Sequence, residues 1–216
     1  MERRLAVILA ADMVGCTSLL EADQERGVRI LQTLLGTCIE PIFAAQRGRI
    51  IRKLGDGVLA EFSSVVGAVA AAIAMQEAVK AAHFLNAAGT QISYRVGVNI
   101  SDVIVDGDDL LGDDMNVAAR LEQQARPGGI CLSAAAYDQI AGKLDITIEN
   151  MGPLSLENLV RPVRAYQVLM PGDVAEAPLK PPVSRCRTGL VIAGVVVVVL
   201  ALGALGYMSL QATNTT

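Results

Sequence analysis

The sequence contains no tryptophan, a single histidine and only four cysteines among its 216 residues. The cysteines, Cys16, Cys38, Cys131 and Cys186, lie far apart without a C-x-x-C pair, and His83 stands in an alanine-rich stretch. A zinc site is therefore not expected. Cysteines without a paired spacing favour a reducing compartment, with the first three as small core residues.

An excess of positive charge is also missing. Lys and Arg number 18 against 22 Asp and Glu, which gives a formal net charge of −4. A nucleic-acid-binding protein needs a basic face that displaces counterions, so no nucleic-acid partner is expected. The length allows one domain of ordinary size, predicted at residues 1–170, and an appendage.

Charged residues are absent from Leu190 to Leu210, a run of apolar and small residues. At about 1.5 Å per residue, such a helix is long enough to cross the roughly 30 Å of hydrocarbon in a bilayer. A buried core helix is the alternative, but an apolar run after a proline-rich segment favours a transmembrane helix at 190–210. The prolines predict a linker at 171–189, and 211–216 form a short non-cytoplasmic tail.

The charges beside this span predict its orientation. Lys180, Arg185 and Arg187 precede the span, and no charged side chain follows it. By the positive-inside rule the N-terminal domain lies in the cytoplasm, and the chain is a single-pass protein of the plasma membrane, the inner membrane of a bacterial cell.

Hydrophobic periodicity and turn residues predict the order of the elements. Strands are predicted at residues 4–11, 49–53, 58–62, 94–100, 129–133, 146–151 and 163–168, and helices at 21–47, with a break at Pro41, and at 65–88, 114–124 and 134–141. Gly89 is expected to cap the second helix, and the six aspartates of residues 102–114 predict an exposed loop. The order β-α-β-β-α-β predicts an α+β fold with a ferredoxin-like split βαβ core and an antiparallel sheet.

Three polar motifs occupy the ends of these elements. Asp12 follows the first strand, and Asp56 lies in the Gly-Asp-Gly tip of the predicted hairpin, where two carboxylates could hold a divalent metal. Asn116 and Arg120 are four residues apart on one helix face, a pairing suited to gripping a triphosphate. Each motif alone is also compatible with a turn, a helix cap or a solvated surface charge.

In this order and spacing the three motifs resemble the class III nucleotidyl cyclase catalytic domain, over about residues 4–168. The resemblance implies conversion of a nucleoside triphosphate into a 3′,5′-cyclic nucleotide and pyrophosphate, with Asp12 and Asp56 holding two Mg²⁺ or Mn²⁺ ions. It implies that Asn116 orients the ribose and that Arg120 stabilises charge developing on the phosphates. It further implies a homodimer in which the aspartates and the Asn/Arg pair of one site belong to different subunits.

The turn after the first strand adds a candidate phosphate site. Backbone N–H groups of Val14, Gly15, Cys16 and Thr17 lie at a predicted helix N-terminus, a position that favours anions. Gly15 lets the backbone approach a ligand closely.

The resemblance also implies which residues read the base. In adenylyl-type members a lysine and an aspartate occupy the places held here by Arg52 and Asp109. Asp109 suits an adenine amino group, so ATP is the predicted substrate, although a guanidinium is not equivalent to an ammonium. Lys53 should point to the opposite face of a regular strand, but a bulge could bring it in.

Other positions depart from the family pattern. Ser101 stands where relatives often carry glycine, and Glu157 stands in place of a phosphate-binding lysine, with Arg161 as a possible substitute. Two alternatives remain open. One is a catalytically silent membrane module for dimerisation or nucleotide sensing, and the other is a guanylyl cyclase, whose usual glutamate and small residue at the purine pair are absent.

Overall fold

The computed structural model describes residues 2–170 except 87, 108, 113, 114, 158 and 160, with residues 2, 106 and 109 described by their backbone alone. The chain divides into two units, Met1–Pro178 and Leu179–Thr216, and every described residue belongs to the first. The predicted linker, transmembrane helix and tail lie outside the described residues and remain predictions.

Eight strands and six helices form the described unit. The strands are β1 (Glu2–Met13), β2 (Gly48–Leu54), β3 (Gly57–Phe62), β4 (Tyr94–Asp106), β5 (Asp109–Leu111), β6 (Ile130–Ser133), β7 (Thr147–Leu154) and β8 (Val163–Leu169). The helices are α1 (Cys16–Ala22), α2 (Gln24–Leu34), α3 (Glu40–Ala45), α4 (Val65–Ala81), α5 (Met115–Gln124) and α6 (Ala134–Ile140), with a π-helical turn at Leu35–Ile39 between α2 and α3.

The strands form one sheet in the order β2-β3-β1-β4-β6-β8-β7, with β5 paired to β4. The first four strands are antiparallel and have the order of a ferredoxin-like split βαβ unit, so the predicted α+β class is confirmed. The expectation of a wholly antiparallel sheet is wrong at one pair. Strand β6 runs parallel to β4, because helix α5 carries the chain back between them.

Strand β1 lies at the centre of the sheet and is buried on both faces. It pairs with β4 from Glu2 opposite Val105 to Met13 opposite Tyr94, and its second half also pairs with β3. Its alternate side chains enter two cores, Val7, Leu9, Ala11 and Met13 on the face covered by α2 to α4, and Ala6, Ile8 and Ala10 on the face covered by α5. Double burial explains why the strand reads as a continuous apolar run.

The exposed loop predicted at residues 102–114 is wrong. Strand β4 continues to Asp106 and folds back onto β5, and Val103 and Leu110 are buried in the α5 face of the sheet. The apolar residues between the aspartates fill that core, and the backbone of Val103 pairs with Arg4 of β1. The polar residues of the turn therefore predict a loop, although the segment forms a β-hairpin.

The single helix predicted at residues 21–47 begins earlier and is divided. Helix α1 starts at Cys16, and the side chain of Asp23 starts α2 by accepting the Arg26 N–H at 2.9 Å. Pro41 does not break the helix, because the π-helical turn precedes it and it lies in the first turn of α3.

Helix α4 ends at Ala81, seven residues before the predicted end. His83 takes the left-handed conformation that stops the helix, with φ of 51°, and Gly89 lies in a separate turn. Within the described part of the chain, one helical run, Gln24–Ala45, is long and apolar enough to cross a membrane. Ile30, Leu34 and Phe43 of that run pack in the main core of this domain.

Candidate active site

Asp12 and Asp56 are brought together where the β2–β3 hairpin closes over the end of β1. Ala11 pairs with Val58, so the hairpin tip lies beside Asp12. A Cβ placed on Gly57 would lie 2.9 Å from the Ala11 carbonyl oxygen and 2.9 Å from Asp12 Oδ1. Such contacts are too short for any side chain, so glycine at position 57 is what allows the approach.

The two carboxylates repel each other in a partly desolvated place. Burial raises the pKa of Asp12 above its ordinary value, and the charge of Asp56 raises it further. Arg95, opposite Asp12 on β4, and the N–H of Met13 act in the other direction without cancelling the increase. A cation bound between the carboxylates would relieve this repulsion.

The donor set fits a hard divalent ion. Carboxylate oxygens suit Mg²⁺ and Mn²⁺, and Mg²⁺ is commonly held by one or two carboxylates together with substrate phosphates and water. Across the described residues, no three His, Cys, Asp or Glu side chains are grouped closely enough to hold a metal by themselves. Asp12 and Asp56 could therefore hold ions that a bound triphosphate helps to coordinate.

The turn after β1 is built on Gly15, whose φ of 74° favours glycine. The N–H of Val14 donates to the Ser93 carbonyl at 2.9 Å, so the predicted contact of this group with phosphate conflicts with a bond already made. Cys16 and Thr17 begin α1, and the N–H groups of a first turn are not used by the helix itself. The candidate phosphate contacts are thus reduced to Gly15, Cys16 and Thr17.

Besides its backbone N–H, Cys16 has a side chain that takes part in the site. The residue is 6% exposed, and its thiol donates a hydrogen bond to the carboxylate of Asp56. Burial raises the pKa of Cys16 to about 12, with the bond to Asp56 and the charges of both aspartates adding to the effect. The side chain is therefore a neutral donor that orients Asp56, a role that the sequence did not reveal.

Two further charged residues border the aspartates and were missed by sequence reasoning. Glu122 of α5 is 8% exposed, and its pKa is raised to about 7 by burial first and then by the charges of Asp12 and Asp56. Arg95 lowers the pKa of both Asp12 and Glu122, and its buried Nε has no hydrogen-bond partner among the described residues. We call Asp12, Asp56 and Glu122 the acidic end of β1.

A signal for Glu122 does exist in the sequence. A Cβ on Gly97 of β4 would lie 2.0 Å from the Ala118 carbonyl oxygen and 2.3 Å from the Glu122 nitrogen. Glycine inside a strand marks a close approach of another backbone, here that of α5. The partner of Gly97 could not be identified without the fold.

Asn116 and Arg120 both lie on helix α5. Asn116 is exposed, and Arg120 is 26% exposed with an ion pair of 3.0 Å to Glu157 and a hydrogen bond of 3.4 Å to Gln123. In the part of the chain that the structure describes, no recorded contact joins either residue to Asp12 or Asp56. Among the described residues, the recorded contacts therefore do not join the Asn116/Arg120 pair to the two aspartates.

The backbone positions of the two predicted base-reading residues lie beside one apolar cluster. A β-bulge at Ile51 shifts the register of β2, so that Arg52 lies opposite Leu59. Ile51 and Leu110 join one apolar cluster, so the backbone positions of Arg52 and Asp109 flank the same cluster. The side chain of Asp109 is outside the described residues.

The bulge does not bring Lys53 to the α5 face of the sheet. Lys53 lies opposite Val58, whose side chain enters the other core, and its ammonium pairs with Glu40 at 2.6 Å. The structure therefore favours Arg52 over Lys53 on the α5 face.

The sequence model for the adenylate and guanylate cyclase catalytic domain matches residues 3–169. The chain belongs to this family. It is 40% identical over 176 residues, 82% of its own length, to "Putative adenylate cyclase 3" of Rhizobium meliloti. It covers only 30% of that relative's length, which is well under half.

Solved structures agree on the fold of this cyclase domain. An adenylate/guanylate cyclase/hydrolase from Silicibacter pomeroyi is 33% identical with a TM-score of 0.72, covering 78% of this chain and 98% of its own. The adenylyl cyclase CyaB from P. aeruginosa is 24% identical with a TM-score of 0.66, covering 78% and 96%, and shows the fold alone.

The departures of this cyclase domain from the family pattern have local explanations. Ser101 is fully buried, and its hydroxyl lies 3.2 Å from the amide nitrogen of Asn99, so a polar side chain there has a partner. Glu157 forms the ion pair with Arg120 described above. Arg161 is exposed.

Proposed function

We propose that this chain is an adenylyl cyclase that converts ATP into 3′,5′-cyclic AMP and pyrophosphate at a homodimer interface. The observation that carries the proposal is the approach of Asp56 to Asp12 that Gly57 permits. Burial and the nearby charge of Asp56 raise the pKa of Asp12, and a divalent cation between the two carboxylates would relieve this repulsion.

The reaction forms the bond from the ribose 3′-oxygen to the α-phosphorus, breaks the bond from that phosphorus to the pyrophosphate oxygen, and releases the 3′-hydroxyl proton. Asp12 and Asp56 would hold two Mg²⁺ or Mn²⁺ ions, which when bound activate the attacking oxygen and stabilise the leaving one. Cys16 keeps Asp56 oriented, and Arg95 places positive charge where the phosphates would lie. N–H groups of the Gly15 turn would donate to phosphate oxygens.

Among the described residues, no recorded contact joins Asn116 or Arg120 to the aspartates, and this supports a shared site. A second copy would present its α5 to the acidic end of the first, so that its Asn116 orients the ribose and its Arg120 stabilises the phosphate charge. A monomer would then hold two half-sites and no complete one.

ATP is the proposed substrate because Arg52 and Asp109 flank one cluster and the Rhizobium meliloti relative is called a putative adenylate cyclase. The Silicibacter pomeroyi protein is described as both adenylate and guanylate cyclase, so its fold does not decide the base. An acceptor at Asp109 would pair with the adenine amino group, and guanine would leave it facing a carbonyl.

We also propose that residues 190–210 anchor the chain in the plasma membrane and leave the catalytic domain in the cytoplasm. The uncharged run and the basic residues before it support this topology.

The test is an assay of the purified full chain with Mn²⁺ and either ATP or GTP, with the cyclic product identified. Cyclic AMP formation that Asp12→Asn abolishes would support the proposal, provided that Asp145→Asn, which removes the same charge from an exposed position, leaves it intact. Cyclic GMP alone would assign a guanylyl cyclase. No product from either nucleotide, with a folded dimer shown by light scattering, would contradict an enzymatic role.

One observation favours the catalytically silent alternative. Arg120 is already neutralised by Glu157 at 3.0 Å, and a silent module could retain that pair permanently. Nucleotide binding without turnover in the same assay would identify such a module.

A further inference from the structure

A cavity lies near the N-terminal end of β1, away from Asp12. It has a volume of about 600 Å³, and its lining includes Arg4 and Val7 of β1, Arg49 of β2 and Phe62 of β3. Eight residues of extended strand separate Arg4 from Asp12, which at about 3.3 Å per residue places the two positions about 26 Å apart along β1. None of the predicted site residues lines this cavity.

The cavity is positively charged in a chain that is negative overall. Four cations line it, Arg4, Arg47, Arg49 and Lys143, against the single carboxylate of Glu61, which leaves a formal charge of +3. The chain as a whole carries −4. The concentration of positive charge is therefore local and distinguishes this cavity from the acidic end.

Two of the cations are held in place by Glu61. Its carboxylate is 12% exposed and accepts ion pairs from Arg4 and from Arg49, the latter at 3.1 Å. Burial alone would raise the pKa of Glu61, but the bonds and charges of the two guanidinium groups lower it overall. Arg47 and Lys143 are exposed, and no described side chain is recorded as bonded to either of them.

The remaining wall is partly apolar. Phe62, Val65 and Ile100 line it together with the hydroxyl of Ser63. The volume lies in the range of small-molecule sites, which typically combine an apolar wall with a few polar groups. Guanidinium groups bind phosphate oxygens in pairs, and a phosphate dianion matches several cations better than a single carboxylate does.

We propose that this basic cavity binds a small organic phosphate. Arg47, Arg49 and Lys143 contact the phosphate, and Phe62 and Val65 contact the apolar part. A soluble phosphate monoester and the headgroup of phosphatidic acid, which is also a phosphate monoester, share this chemistry. The site is separate from the proposed cyclase centre and does not depend on cyclase activity.

The test is calorimetric titration of the purified full chain, in an uncharged detergent, with inorganic phosphate and with phenyl phosphate. We expect one saturable phenyl phosphate site per chain, with inorganic phosphate weaker because it lacks the apolar part. The double variant Arg47→Gln/Lys143→Gln should bind at least about tenfold more weakly. The control Arg29→Gln/Lys80→Gln removes the same charge outside the cavity and should bind as the parent does.

Short-chain phosphatidic acid, whose headgroup is a phosphate monoester, is used below its micelle concentration and distinguishes the two sources. Tighter binding of this lipid than of phenyl phosphate, lost in the double variant, would identify a lipid headgroup, and the reverse order a soluble monoester. The proposal is overturned if no saturable binding occurs or if the double variant binds as tightly as the parent. It is also overturned if Asp56→Asn changes phosphate affinity as much as the double variant does, since the phosphate would then lie at the acidic end.

Discussion

The two ends of β1 concentrate opposite charges by different means. At the acidic end, backbones approach so closely that Gly57 and Gly97 leave no space for a side chain. At the basic cavity, Arg4 and Arg49 pair with Glu61, and the close approach at Gly48 is to the side chain of Phe62 and not to backbone. The acidic end thus depends on backbone positions fixed within tenths of an ångström, whereas the basic cavity depends on side-chain charge that several residues share.

The largest effect should come from removing a carboxylate at the acidic end. Asp56→Ala should lower cyclic AMP formation at least about a thousandfold, because a metal ligand is lost. Arg120→Ala should be similarly inactive, and a mixture of the two should regain activity if one site is shared between copies. Circular dichroism controls for folding, and a mixture that forms heterodimers yet stays inactive would exclude a shared site.

A methyl group added at Gly57 should reduce activity nearly as much as the loss of Asp56. Gly57→Ala brings a Cβ to 2.9 Å from the Ala11 carbonyl and Asp12 Oδ1, so the hairpin must move and carry Asp56 with it. We expect kcat/KM for ATP to fall about a hundredfold. Gly36→Ala is the matched control, since a Cβ there meets nothing within 4 Å. Equal activities of the two variants would show that the approach is not needed.

Stability should respond to pH through Glu122. The pKa of Glu122 is about 7 in the folded protein and 4.5 in the unfolded chain. The stabilisation that comes from protonating Glu122 is therefore fully present below pH 4.5 and is lost as the pH rises through 7. Glu122→Gln should therefore exceed the parent in stability at pH 8 by on the order of 2–3 kcal/mol, and match it near pH 4. Urea unfolding in a chelating buffer measures the difference.

Added Mg²⁺ provides a control on that measurement. If ions bind at Asp12 and Asp56, they offset the charges that raise the pKa of Glu122, and the gap between variant and parent should shrink. A gap that does not depend on pH would refute this account of Glu122.

The basic cavity should show the opposite pH dependence. Arg4 and Arg49 hold the pKa of Glu61 below its ordinary value of 4.5. The stabilisation from ionised Glu61 is therefore present above the pKa of the unfolded chain and is lost as the pH falls through the lower pKa of the folded protein. Glu61→Gln should lose about 1–2 kcal/mol of stability at pH 7, and the gap should close in acid. Urea unfolding over the same pH range measures this difference in stability between Glu61→Gln and the parent. A difference that grows in acid would contradict the ion-pair arrangement.

The smallest effect is expected at the ion pair of Arg120. Glu157 is 71% exposed, and such pairs contribute at most about 1 kcal/mol. Glu157→Gln should free Arg120 for the triphosphate and lower the KM for ATP about twofold to fivefold. Glu25→Gln breaks the similar exposed pair with Arg29 and should change nothing. A rise in KM would mean that Glu157 positions Arg120 for binding.

The parts that sequence reasoning predicted correctly are local. The apolar run of β1 and the hairpin with the Gly-Asp-Gly tip are predicted by sequence pattern alone and are present. That Asp12 and Asp56 act together was implied by the resemblance to the cyclase family. The contribution of Glu122 could not be predicted in this way. It comes from a different helix and reaches the site only because α5 packs on Gly97, which is a property of the tertiary fold.

Two predictions from local signals are wrong. The aspartates of residues 102–114 predict an exposed loop, yet Val103 and Leu110 among them are buried. Pro41 suggested a helix end, and a widened turn accommodated it instead. At the hairpin, packing of a few apolar residues outweighed the polar signal of the turn, and at Pro41 the π-helical turn let the helical run continue.

The π-helical turn also sets the phase of the helical run that contains it. Leu34 and Phe43 both enter the main core, although nine residues at 100° each would place them on opposite sides of a regular helix. The wide turn absorbs one residue, so that both side chains face the sheet. A homologous chain with a regular helix here would be one residue shorter between these positions, and a single-residue gap in a sequence alignment would be the trace of this turn.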